Sequence, residues 1–227
     1  MAAKITAITV QKRNPQRVNV YLDGEFAFGL AKVVAAWLQV GQELDEEAVA
    51  RLRAADAHEQ AFQRALHYLN YRPRTEAELR RYLQKRGLDE ALIESTIDRL
   101  RELKLIDDAA FAQRWVESRN TFRPRGRRAL RAELRQKGLD EDLIAQALTQ
   151  VDEEALAYQA AQKALRRYRG LAWPEFRRKL SAYLARRGFP YAVVQEVVTR
   201  VWAEVSPPSP SAPAEDIPDN EESPCTE

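Results

Sequence analysis

Hydrophobic and polar positions follow two different rhythms along this chain. Over the first 44 residues, Ile5, Val10, Val18, Val20, Tyr21, Phe26 and Phe28 lie in short stretches rich in β-branched and aromatic side chains. Runs of that kind between turn residues read as strands. Asn14-Pro15 marks one turn, and Asp23-Gly24 marks a tight hairpin, because both residues tolerate positive φ. The pattern predicts three short antiparallel strands near 4–11, 17–22 and 25–30, then a short helix around 31–38 ended by Gly41. From residue 45 onward the strand signal vanishes. Apolar positions there recur at three- and four-residue spacing, the rhythm of amphipathic helices.

The helical part repeats itself. LRRYLQKRGLDEALIESTIDRL at 79–100 returns as LRAELRQKGLDEDLIAQALTQV at 130–151, an offset of 51 residues without a gap. A third copy, LSAYLARRGFPYAVVQEVVTRV at 180–201, follows 50 residues later. Gly87, Gly138 and Gly188 coincide, and Pro73, Pro124 and Pro174 each stand 14 residues before their glycine.

The repeated positions have a mechanical meaning. Each glycine suits the left-handed residue that ends a helix. The next residue, Leu88, Leu139 or Phe189, then meets Leu83, Leu134 or Leu184, the apolar contact of a Schellman ending. Asp89 and Asp140 are placed to cap the following helix. Leu88 to Ile93 and Leu139 to Ile144 have the spacing of a hydrophobic staple. The third copy has Pro190 in place of the capping Asp. Thr75-Glu76-Ala77-Glu78 has the form of a capping box, and each proline stops the helix before it.

These marks predict helices at 51–71, 75–86 and 89–103, then 107–121, 125–137 and 140–150, then 152–169, 174–187 and 190–204. The expected fold is mainly α: three tandem three-helix repeats in an elongated, curved array behind a small N-terminal antiparallel β-hairpin segment. The segments are 1–50 for the hairpins and short helix, 51–104, 105–151 and 152–205 for the repeats, and 206–227 for a tail.

Charge changes the picture. The chain of 227 residues carries 36 Lys and Arg against 34 Asp and Glu, a formal +2. Residues 206–227 hold six acids and no base, so residues 1–205 carry +8. The tail is rich in Pro and Ser, nearly free of large apolar groups, and is expected to be disordered. It is also placed to fold back on basic surface and weaken nonspecific DNA binding. Residues 72–86, 114–137 and 163–187 carry net charges of +4, +7 and +8, whereas 139–154 holds six acids and no base. Basic clusters of this size suit an acidic partner, a phosphate backbone or an acidic protein face. Arginine prevails over lysine, which favours forked contacts to carboxylate or phosphate. Tyr71, Tyr82, Phe122, Tyr168, Trp173, Phe176 and Tyr183 lie among these bases and are candidates for stacking on nucleic-acid bases. Taken singly, such residues are more often solvated helix faces and core aromatics; the 114–137 and 163–187 clusters as wholes favour function.

Chemistry of other kinds finds little support. The one cysteine, Cys225, excludes a disulfide scaffold, and His58 and His67 have no partner at ligand spacing. No apolar run approaches a membrane span, and the N-terminus lacks a signal-type apolar core, so a cytoplasmic location is expected. Asp107-Asp108 reads as an N-cap with a first-turn acid rather than a metal or acid/base pair, because no further carboxylate cluster or histidine accompanies it. Phosphate-loop, dinucleotide and nucleophile-elbow motifs are absent. No catalytic, cofactor or metal site is expected.

Residues 65–144 resemble the RecX family of bacterial regulatory proteins. The likeness rests on the turn Arg72-Pro73-Arg74 with Glu78-Leu79, the helix end Lys85-Arg86-Gly87, Leu105-Ile106-Asp107-Asp108 with Phe111-Ala112, and Arg123-Pro124-Arg125-Gly126. It extends over about 1–205, and the third repeat departs most, with Trp173-Pro174-Glu175 in place of Arg-Pro-Arg. The resemblance implies a non-enzymatic regulator that lies in the groove of the RecA–single-stranded DNA filament. By the same resemblance it is expected to inhibit the ATPase, recombinase and strand-exchange activity of RecA, or to promote filament loss, and so to modulate DNA repair and the SOS response. A monomer is expected, with RecA and single- or double-stranded DNA as partners. The residues expected to meet the filament are Arg72, Arg74, Arg123, Arg125, Arg127, Arg128, Arg177 and Arg178. The alternative is a direct DNA-binding protein of tandem helical units that competes with RecA for DNA. Reversing Arg127 and Arg128 to Glu is expected to weaken the effect without unfolding the chain, if these arginines are exposed.

Overall fold

A computed structural model describes residues 2–205. The expectations for the tail at 206–227 lie outside the described residues.

Four antiparallel strands open the chain: β1 (Ala3–Gln11), β2 (Asn14–Leu22), β3 (Glu25–Ala31) and β4 (Glu43–Leu44), in the order β3-β2-β1-β4. Asp23 and Gly24 turn between β2 and β3 with φ of 46° and 88°, as the hairpin signal requires. The first turn is displaced. Gln11 pairs with Asn14, so Lys12 and Arg13 make the turn, and Asn14-Pro15 opens β2. The Asn14 side chain accepts the Gln16 N–H at 3.1 Å, which accounts for the turn-like signal there. β4 pairs only Glu43 and Leu44 with β1, too short a run to carry a visible alternation. The expected helix at 31–38 is a single 3₁₀ turn, Val34–Trp37, because β3 continues to Ala31.

Nine α-helices follow among the described residues: α1 (Glu46–Leu69), α2 (Glu76–Gln84), α3 (Glu90–Glu102), α4 (Asp108–Phe122), α5 (Arg127–Lys137), α6 (Glu141–Leu148), α7 (Glu153–Ala164), α8 (Trp173–Arg186) and α9 (Tyr191–Val205). A 3₁₀ turn, Leu165–Arg167, continues α7. α1 starts earlier than expected because Asp45 caps it, accepting from the Ala48 N–H at 2.6 Å. Its first half seats the sheet. Asp56, buried on α1, takes both Nη atoms of Arg17, the Ala31 N–H at 2.6 Å and Gln60 at 2.7 Å. Burial works to raise the Asp56 pKa, but these bonds outweigh it and hold the carboxyl below its ordinary value.

The apolar residues gather into one cluster for the sheet and one for each helix triplet. Equivalent leucines anchor the triplets: Leu79, Leu130 and Leu180, with Leu83, Leu134 and Leu184, are all fully buried. Truncating any one to alanine costs about 2–5 kcal/mol. The Schellman endings form in all three copies. Leu88, Leu139 and Phe189 donate their N–H groups to the carbonyls of Leu83, Leu134 and Leu184 at 3.3–3.4 Å, past glycines with φ of 77°, 85° and 88°. Asp89 caps α3 through the Leu92 N–H at 2.8 Å, but Asp140 makes no such bond. In the third triplet the proline does not stop a helix. Pro174 sits in the first turn of α8, where its missing N–H has no helical partner to lose.

Candidate binding surface

In the first triplet the turn between α1 and α2 folds its arginines back on the chain. Arg72 pairs with Glu78 at 3.0 Å and also donates to the Pro73 carbonyl. Arg74 lies 4.2 Å from the centre of the Tyr68 ring, with its Nε buried and without a hydrogen bond. Thr75 accepts the Glu78 N–H at 3.2 Å, yet Glu78 does not return its carboxylate as a capping box would. That carboxylate takes Arg72 and, from the end of α5, Lys137 at 2.8 Å. Burial would raise the Glu78 pKa; the two cations overcome it and lower it to about 2.

Glu133 gathers cations within the second triplet. It takes Arg119 and the Trp115 indole N–H at 2.7 Å, and pairs with Arg125 at 2.5 Å. Arg127 is fastened at the start of α5, donating its N–H to Glu153 at 2.8 Å and its guanidinium to the Val151 carbonyl at 2.7 Å. Arg128 reaches the Ala185 carbonyl of α8 at 3.2 Å. Arg123 is exposed, and its side chain has no partner among the described residues. In the third triplet Arg177 meets Gln195 at 2.9 Å, while exposed Arg178 makes no hydrogen bond among the described residues. Of the eight arginines singled out, Arg72, Arg74, Arg125, Arg127 and Arg128 thus bind within the chain, and Arg123, Arg177 and Arg178 face outward. Arg166, Arg167 and Arg169 are further exposed bases, without side-chain partners among the described residues.

Two of these arginines, Arg72 through Glu78 and Arg128 through the Ala185 carbonyl, stand at a joint that occurs twice. The Lys137-Gly138 turn lies on the start of α2: Thr75 donates its hydroxyl to the Lys137 carbonyl at 2.7 Å, and a Cβ on Gly138 would stand 2.4 Å from that of Ala77. The Arg187-Gly188 turn lies on the start of α5: Gly126 donates its N–H to the Arg187 carbonyl at 3.0 Å, and a Cβ on Gly188 would stand 2.6 Å from that of Ala129. Middle helices therefore meet head to tail, and the two later glycines serve both the left-handed turn and this close approach. Gly87, with nothing before it, has open space at its Cβ.

The structure also sorts the aromatics. Phe176 is core, Tyr82 stacks on Tyr68 at 4.0 Å, Trp173 packs with Phe176 and Trp202, and Tyr168 meets Tyr183. Only Tyr71 and Phe122 of the group are exposed, at 72% and 75%. They are equivalent, 51 residues apart, each just before an Arg-Pro-Arg turn. His67 steadies Tyr71 through a 3.2 Å bond and an edge contact of the rings. Sequence reasoning passed over Trp37, which is 88% exposed beside exposed Val33 and Val40. Their spacing of four and three residues was the available signal.

Asp107 caps α4 through the Ala110 N–H at 2.8 Å. Asp108 accepts the Glu76 N–H at 3.0 Å and so holds the start of α2. Burial, with Glu76, Asp140 and Asp107 nearby, raises its pKa. Among the described residues no group of His, Cys, Asp and Glu is arranged to hold a metal, and no helix is long and apolar enough to cross a membrane.

Three-helix triplets joined through glycine turns behind a small sheet define a tandem helical-repeat protein. Its domains match family models one by one: the regulatory protein RecX N-terminal domain at 3–45, and the first, second and third RecX three-helix domains at 61–100, 107–148 and 152–198. The chain belongs to the RecX family. "Regulatory protein RecX" of Bacillus pumilus is 32% identical over 203 residues, covering 87% of this chain and 77% of the relative. That of Limosilactobacillus reuteri is 38% identical over 206 residues, covering 88% and 77%. A crystal structure of regulatory protein RecX superposes with a TM-score of 0.71 at 36% identity, covering 86% of this chain and 98% of that one. RecX from Lactobacillus salivarius gives 0.59 at 25% identity, covering 65% and 97%.

Proposed function

We propose that this chain binds the RecA–single-stranded DNA filament and inhibits RecA ATPase, recombination and strand exchange, thereby tempering DNA repair and the SOS response. Family membership supports the reading, since the relatives are named regulatory proteins. The observation that carries it to a surface is the pair Tyr71-Arg72 and Phe122-Arg123. An exposed aromatic beside an arginine recurs at the same place in successive triplets. A surface with its own repeat suits a partner that also repeats, and several modest contacts along one rigid body add through effective concentration. Exposed aromatics and arginines are also the residue types that dominate binding energy at interfaces. Arg123, Arg177 and Arg178 supply charge contacts in this reading, while Arg72, Arg74, Arg125, Arg127 and Arg128 mainly hold the presenting frame.

Direct DNA binding is the second reading, favoured by the outward bases of the third triplet, Arg166, Arg167 and Arg169. A titration against RecA filaments on single-stranded DNA separates the two. Loss of ATPase at amounts far below those that cover the DNA supports filament binding. Loss only at DNA saturation, with steep salt dependence, supports competition for DNA. Unchanged ATPase with RecA of the same organism overturns the first reading.

A further inference from the structure

Each middle helix has a start, and two of the three starts are covered. The Lys137-Gly138 turn covers that of α2, and the Arg187-Gly188 turn covers that of α5. No fourth triplet exists among the described residues to cover α8. The repeat offsets make Ala77, Arg128 and Arg178 equivalent, and likewise Glu78, Ala129 and Lys179. Ala77 lies under the glycine turn of the next triplet, and Arg128 binds a carbonyl of the next triplet. Arg178 holds the same position with nothing above it among the described residues.

The uncovered start is a groove of about 530 Å³ lined by Trp173, Pro174, Arg177, Arg178, Ser181 and Gln195. Ser181 Oγ is buried there and lacks a hydrogen-bond partner among the described residues. Charge says what does not fit. The α2 start offers the Glu78 carboxylate to Lys137, whereas α8 offers Lys179, already paired with Glu175 at 2.7 Å, and the arginines 177 and 178. The one unused glycine turn, at Gly87, is preceded by Lys85 and Arg86. A second copy added end to end would bring like charges together. An acidic segment with prolines fits instead. Its carboxylates would take the guanidinium groups and the idle Ser181 hydroxyl, and a pyrrolidine ring would lie against Trp173 and Pro174, as aromatic-lined grooves receive proline-rich peptides.

We propose that the α8 groove docks such a segment, and that residues 206–227 of this chain are its occupant. They carry six acids and no base, with prolines at 207, 208, 210, 213, 218 and 224. They leave from Val205, the end of α9, which packs on α8. Ten residues in polyproline form span about 31 Å, more than the roughly 21 Å length of α8, so Glu215 and Asp216 are within reach. The segment takes the place that a fourth triplet would hold and occupies Arg177 and Arg178, two of the outward bases.

Cys225, the only cysteine, allows the test on the full, unsubstituted chain. A nitroxide on Cys225 is expected to weaken the Trp173 indole signal and the 177–181 amide signals by about twofold or more at low salt. They should recover near 0.5 M salt, where the Debye length falls to about 4 Å. Arg177→Glu with Arg178→Glu should abolish the effect without salt. Absence of broadening, equal broadening at the starts of α2 and α5, or broadening at α8 that survives high salt would overturn the proposal.

Discussion

Lys137, in the last turn of α5, donates to the Glu78 carboxylate on α2 at 2.8 Å and so ties the second triplet to the first. Glu78 has a folded pKa of about 2 against an ordinary 4.5. A lowered carboxyl pKa stabilises the fold fully above the ordinary value and ceases to do so as pH falls through the folded value. The bond is therefore complete above pH 4.5 and fades toward pH 2, and because Arg72 stays solvent-accessible, screening reduces its worth to about 1–2 kcal/mol. Glu78→Gln should lower denaturant stability by about 1–2 kcal/mol at pH 7, with the gap to the unsubstituted chain closing below pH 3. A constant gap across that range would exclude the carboxylate as the cause.

The three repeat glycines should respond unequally to alanine. Gly87→Ala meets only the left-handed backbone, about 1–2 kcal/mol. Gly138→Ala and Gly188→Ala add a collision with a neighbouring alanine, and overpacking costs about 1–3 kcal/mol more. Thermal melts of the three variants check the order; equal losses would mean that the head-to-tail joint is looser than described.

Asp108 should tolerate loss of its charge but not of its oxygen. Its folded pKa is raised, so above the ordinary carboxylate range the charge on Asp108 works against folding. Asn keeps an acceptor for the Glu76 N–H, and Asp108→Asn should match or exceed the native stability at pH 7. Asp108→Ala leaves that N–H unpaired and should cost about 1–2 kcal/mol. Chemical denaturation of both variants decides it.

Reversing Arg127 and Arg128 to Glu is no longer a clean probe. It breaks bonds to Val151 and Ala185, so the melting temperature should fall together with any binding. Arg123→Glu, at an exposed side chain, should leave stability within about 0.5 kcal/mol. Circular dichroism melts of the two variants test the contrast.

Much of the fold was legible because the same mechanical problem is solved three times. A left-handed glycine, the apolar residue after it and the leucine before it name a helix end without any tertiary knowledge. Where local and long-range demands diverge, the reading slipped. Pro174 opens the helix expected at 174–187, but α7 and its 3₁₀ turn end at Arg167, well before the proline thought to stop them, and Asn14 folds its side chain onto the Gln16 N–H rather than making the turn. β4 exists only through its pairing with β1. The binding surface was less legible. Charge clusters say how many arginines a segment holds, but not that Glu78, Glu133 and two carbonyls claim four of the eight and the Tyr68 ring a fifth. Tyr71 and Phe122 were distinguishable from Phe176 only once burial was known.

The central claim is that the Tyr71 and Phe122 edge meets the RecA filament. It is tested most directly by RecA ATPase on single-stranded DNA, comparing the native chain with Tyr71→Ala, Phe122→Ala and Arg123→Glu combined. None of the three side chains is buried, so the variant should fold. Losing two aromatic anchors and a charge contact should raise the concentration for half-inhibition at least about tenfold, equivalent to 1.4 kcal/mol. Equal inhibition by a folded variant would contradict the assignment.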